Sequence, residues 1–133
     1  MGKRSTGRKL AMQAIYEADI GDFPIKDALE HVFEQENIQS DTKKFAKELA
    51  VDVWENVSKA DTIIKKHAKG WSLDRIGGVD RSILRMAIIE LLNKETPPEV
   101  VINEALELSK KFSTPEAAKF INGILGAYLK EQK

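Results

Sequence analysis

The 133-residue chain reads as an all-α protein forming one compact domain. Three observations predict this. Apolar residues recur every three to four positions along nearly the whole length, the period of a helix with one covered face. No alternating apolar–polar run bounded by hairpin turn residues appears. The breaks between periodic segments carry Gly, Pro, Ser or Thr and are too short to join independent domains.

The elements follow in order. A first helix is expected from Arg4 to Ile20, with Leu10, Ala11, Ala14, Ile15 and Ala18 on one face and Gly21 as its stop. A second runs from Pro24 to Asn37 with Ala28, Leu29, Val32 and Phe33 inward. A third, long helix starts near Ser40 or Asp41, carries Phe45, Leu49, Val53, Val57, Ile63 and Ile64, and stops by Gly70. Trp71 to Gly78 is a connector, and Gly70 to Gly78 is the one candidate seam between sub-bundles. A fourth helix spans Val79 to Asn93 and is apolar almost all round, which makes it central. A fifth spans Pro98 to Phe112, its prolines tolerated at the N-terminus. Ser113-Thr114-Pro115-Glu116 combines a hydroxyl cap, an early Pro and a first-turn Glu, so a last helix starts there and runs to Glu131.

Composition removes several function classes. There is no Cys, so disulfides, Cys-zinc sites and thiol chemistry are excluded. No apolar run reaches the length of a membrane span, and the first ten residues lack a signal-like apolar stretch. A cytoplasmic home is the plain expectation. His31 and His67 fall on different helices, so no zinc-protease pair arises. Gly77-Gly78 leads into Val-Asp-Arg and not into a phosphate-cradling Lys-Ser or Lys-Thr. No Ser sits in a nucleophile elbow. The expectation is a binding protein, not an enzyme, with no cofactor and no metal.

The charges sum to zero, 21 against 21, but they are unevenly spread. Met1 to Tyr16 holds the cations Lys3, Arg4, Arg8 and Lys9 and no anion, whereas Glu17 to Asp41 holds eight anions and one cation. A local basic end is what such a distribution offers to an anionic partner. A solvated arm accounts for it equally well.

Helical-wheel arithmetic singles out further residues. In the first helix Arg4, Arg8 and Ile15 flank the apolar face, while Lys9, Met12 and Tyr16 fall away from it. Tyr16 is then either an exposed aromatic beside a cation or a ring resting on a neighbouring helix. In the fourth helix Glu90 shares the stripe of Val79, Ile83 and Ala87 and needs a partner there, for structure or, less simply, for catalysis. In the last helix Glu116, Phe120, Gly123 and Ala127 form a stripe beside the core face, with Lys119 adjacent. Gly123 and Gly126 each cost roughly 1 kcal/mol of helix stability relative to Ala. Either a helix approaches closely there, or the patch is open and suits a base on Phe120 and a phosphate on Lys119.

Four segments go further. Arg8 to Tyr16 reads RKLAMQAIY; Gly70 to Leu91 reads GWSLDRIGGVDRSILRMAIIEL; Val101 to Phe112 reads VINEALELSKKF; Lys119 to Leu125 reads KFINGIL. In this order and spacing the chain resembles the NusB family of bacterial transcription antitermination factors. The resemblance implies an all-α fold of six to seven helices in two three-helix sub-bundles. It also implies a partner, NusE, which is a small-subunit ribosomal protein in a second role. With it comes binding of the boxA element of nascent RNA, so that RNA polymerase reads through terminators in ribosomal RNA operons. It places Lys3, Arg4, Arg8, Lys9, Glu116, Lys119 and Phe120 on the RNA surface, and Tyr16 and Asp80 on the partner surface. Some members self-associate, which leaves a homodimer open. Where many members carry consecutive arginines, this chain has Lys3-Arg4-Ser5-Thr6-Gly7-Arg8-Lys9. Gly7 weakens the first turn, so the arm is expected to order only on RNA. Ser113, where the family usually has Gly, is expected to cap.

Two other readings stand beside this one. NusB-like domains also precede some RNA methyltransferases, but the chain carries no nucleotide-binding half. A helical protein–protein adaptor without RNA would depend on Tyr16 and Asp80 and be indifferent to Arg4, Arg8 and Phe120.

Overall fold

A computed structural model describes residues 2–35 and 37–133. Among them are seven α-helices: α1 Lys3–Gly21, α2 Ile25–Glu34, α3 Ser40–Glu55, α4 Val57–His67, α5 Gly78–Asn93, α6 Pro98–Phe112 and α7 Pro115–Glu131, with a single 3-10 turn, Leu73–Arg75, before α5. The chain divides into two compact units, Met1–Glu55 and Asn56–Lys133.

In the first unit α1 packs on both α2 and α3. Leu10, Ala11, Ala14, Ile15 and Ala18 are buried, as their shared face requires. Met12 is buried too, at 2 % exposure, although the wheel put it away from the core. A helix covered from two sides needs a wider apolar arc than one stripe. Gly21 is the last helical residue and not the stop. The left-handed position is Asp22, at φ 57°, where an aspartate is tolerated. The second helix is shorter than expected, ending at Glu34; Glu36, within the expected range, lies outside the described residues.

The long third helix of the sequence reading is two helices. Asn56, at φ −113° and ψ 21°, interrupts it, and the division between units falls there, not at Gly70–Gly78. The second unit therefore has four α-helices. Its centre is α5, packed on α4, α6 and α7, with Ile83, Leu84, Met86, Ile88 and Ile89 nearly inaccessible. Glu90 is buried at 7 % and is engaged within the chain, which is the structural reading of that carboxylate. Arg85 of α5 grips Asp61 of α4 in a two-pronged ion pair.

Between α4 and α5 the connector is braced rather than loose. Gly70 takes φ 81°, a conformation that suits glycine, and Trp71 N–H donates to the Ala68 carbonyl at 3.0 Å. Arg81 Nη1 donates to the carbonyls of Leu73 and Ile76 at 3.0 and 2.8 Å, and Ile76 is buried.

Candidate nucleic-acid interface

The expected RNA residues fall into two groups, one in each unit. Lys3, Arg4, Arg8 and Lys9 lie on α1, and Glu116, Lys119 and Phe120 lie on α7.

Helix α1 starts at Lys3 with no side-chain cap and no acid in its first turn. The positive end of the helix dipole and the cations therefore coincide, which disfavours the isolated helix and favours an anion. What holds this end is Phe45 of α3. The guanidinium of Arg4 lies 4.9 Å from the ring centroid and that of Arg8 5.4 Å, both within cation–π range. Gly7 sits against the same ring, and a β-carbon there would collide with it. The segment expected to order on RNA is helical here. Gly7 is what lets Phe45 close on α1, and the first turn is helical from Lys3. Arg4 and Lys3 are exposed, Lys9 is half-buried and engaged within the chain, and Arg8 is buried at 2 %. Lys3 Nζ donates to Asp41 Oδ2 at 2.9 Å, and this hydrogen bond is the main reason the Asp41 carboxyl is held below its ordinary value.

At the other end of α1, Tyr16 is half-buried and lines a cleft of about 520 Å³ with Glu17, Ile20, Phe23 and His31. Both Ile20 and Phe23 are 54 % exposed. His31 Nδ1 lies 2.8 and 3.0 Å from the two carboxylate oxygens of Glu17. Sequence reasoning missed Ile20 and Phe23. The available signal was the helical i, i+4 relation of Tyr16 to Ile20. Phe23 crosses over Gly21, which has no side chain to stop it.

Asp80 stands in the first turn of α5, where a carboxylate suits the helix end. It is half-buried, and its Oδ1 is shielded from solvent with no hydrogen-bond partner among the described residues.

On α7 the start is as expected. Thr114 is the N-cap, its hydroxyl accepts from Ala117 N–H at 3.0 Å, and Pro115 follows. Ser113 instead closes α6. Glu116 and Lys119 are exposed one turn apart, and Phe120 is half-buried. Its ring meets Trp71 edge-on, with centroids 5.9 Å apart and planes at 63°. A β-carbon at Gly123 or Gly126 would find no atom within 4 Å. Among the described residues no helix approaches these glycines, and the patch is open.

Among the described residues, no group of three or more acidic or His side chains could hold a metal. No helix among them is long and apolar enough to cross a membrane.

Comparison with known proteins defines the class. The chain is 38% identical to the transcription antitermination protein NusB of a Nitratiruptor species, covering all of this chain and 96% of that one. It is 41% identical to NusB of Bacillus subtilis, covering 92% of each. Among solved structures, it superposes at a TM-score of 0.90 and 32% identity, over 97% of both chains, on a protein from a crystal of antitermination factors NusB and NusE in complex with dsRNA. A chain from the crystal structure of a plectonemic RNA supercoil matches at a TM-score of 0.93 and 34% identity, over 99% of this chain and 97% of that one. Fold and likeness together define an all-helical protein of the transcription antitermination type. The NusB family model matches residues 5–130, and the chain belongs to the NusB family.

Proposed function

We propose that this protein is a transcription antitermination factor that binds boxA RNA together with NusE. In that role it joins the RNA polymerase antitermination complex and promotes read-through, notably in ribosomal RNA operons. The observation that carries the reading is the end-to-end likeness, over 97% of each chain, to a protein crystallised with NusE and dsRNA. The two units act as one RNA-binding domain, residues 1–133, in the cytoplasm, with no catalytic step and no cofactor.

The roles follow from chemistry. Lys3, Arg4, Lys9 and Lys119 neutralise phosphates. Phe120 offers a ring to an unpaired base, and Glu116 accepts hydrogen bonds from base amino groups or a 2′-hydroxyl. Arg8, stacked and buried, contributes its charge to the local field and holds Phe45 in place. Tyr16, flanked by the exposed Ile20 and Phe23, and Asp80 face the protein partner.

Fluorescence anisotropy of labelled boxA RNA tests this, with the protein alone, with NusE, and with scrambled RNA at two salt concentrations. Preference for boxA, tightened by NusE, is the expected result. Equal binding of scrambled RNA overturns the sequence-specific reading. Binding of NusE without either RNA makes the chain an adaptor.

A further inference from the structure

Trp71 is one of the few large apolar side chains left in the open, at 51 % exposure. Its position is not an accident of a loose loop. Its N–H is bonded to Ala68, Gly70 fixes the turn before it, and Arg81 ties down the connector after it. Its ring touches the half-buried Phe120. The two aromatics thus form a single patch across the connector and α7. Exposed lysines accompany both members: Lys69 two residues before Trp71, and Lys119 next to Phe120.

We infer that Trp71 is a stacking platform for an unpaired RNA base, alongside the base taken by Phe120. The inference rests on the RNA-binding reading above and adds a residue to it. An uncovered indole on a segment that carries exposed lysines suits single-stranded nucleic acid, whose bases present flat apolar faces and whose phosphates are anionic. An aliphatic protein surface would gain nothing from Lys69 and Lys119. Stacking on such a ring tolerates any base, so Trp71 contributes affinity more than sequence choice.

The chain has two tryptophans, Trp54 and Trp71, so a W54F background isolates the emission of Trp71. In that background, single-stranded boxA RNA is titrated with NusE present while Trp71 emission and RNA anisotropy are followed together. Quenching of Trp71 in step with RNA binding is expected. Trp71→Ala should weaken binding about tenfold and Trp71→Tyr only slightly, since the second keeps a ring. Far-UV circular dichroism of both variants confirms that the helices persist. Trp71→Ala is also made with Phe120→Ala. If its effect vanishes there, Trp71 only positions Phe120 and the inference is overturned. It is overturned as well if RNA binds normally with Trp71 unquenched and Trp71→Ala unaffected, an outcome that leaves the RNA-binding function standing. Quenching by NusE alone would make the patch a protein contact and overturn it too. Failure of the parent protein to bind any boxA RNA removes the function first and this inference with it.

Discussion

Arg85 and Asp61 meet through two hydrogen bonds, Nε to Oδ1 at 2.7 Å and Nη2 to Oδ2 at 2.9 Å, joining α5 to α4 with side chains only 9% and 18% exposed. Breaking a pair this sheltered leaves one charge without its counter-ion in a poor solvent for ions. Asp61→Ala should therefore cost about 3 kcal/mol of stability in urea unfolding. Replacing both residues together by apolar side chains of similar volume should recover most of that loss. A double-variant loss equal to the sum of the two single-variant losses would mean the pair is not coupled.

The glycines of α1 and α7 should respond in opposite directions to the same change. Gly123→Ala and Gly126→Ala add a methyl group in open space and should stabilise by up to roughly 1 kcal/mol each, the helix-propensity difference. Gly7→Ala carries the same propensity gain but drives a methyl group into the Phe45 ring, so it should destabilise. Equilibrium denaturation of the three variants checks the signs.

Asp41 is held below its ordinary value of 3.8, first by the hydrogen bond from Lys3. A carboxylate with a lowered folded value stabilises fully above its unfolded value and loses that contribution as pH falls through the folded one. Here the window lies below 3.8, so near neutrality the pair is fully formed and adds no pH dependence. Lys3→Gln should return the Asp41 titration, followed by carboxyl NMR, toward the ordinary value. Asp41→Asn should release Lys3 to a phosphate and tighten RNA binding about two- to threefold at low salt, the scale of an exposed ion pair.

About four phosphate contacts to single-stranded RNA give a slope of about −3 for log affinity against log salt. Affinity should then fall roughly 50-fold between 50 and 200 mM salt. Lys119→Ala should make the slope shallower by about 0.7. Phe120→Ala should weaken binding at every salt concentration and leave the slope unchanged, because a stacked ring releases no counter-ions. Anisotropy over a salt series separates the two.

Much of this architecture was legible in the chain. The all-α class followed from apolar spacing, and the start of α7 from Thr114-Pro115-Glu116, because both are local properties. The break at Asn56 was not, since Val53 and Val57 continue the same i, i+4 stripe across it and Asn is only a weak helix breaker. The burial of Arg8 was equally hidden. A wheel places a cation on a flank but cannot show that Phe45, 37 positions later in sequence, will come to lie beneath it. Nor could it show that the open side of Gly123 and Gly126 has no helix against it, because that is a fact about neighbours. The exposed Ile20 and Phe23 were missed because an uncovered apolar residue looks the same in sequence as a buried one.

The Arg4–Phe45–Arg8 stack with Gly7 beneath it has a thermodynamic consequence. A basic tail that coils up only on its ligand loses chain freedom at the moment of association. Here the basic segment is helical and packed against Phe45. Calorimetry of RNA binding should then show a small heat-capacity change and no added helix signal, the signature of a rigid docking surface.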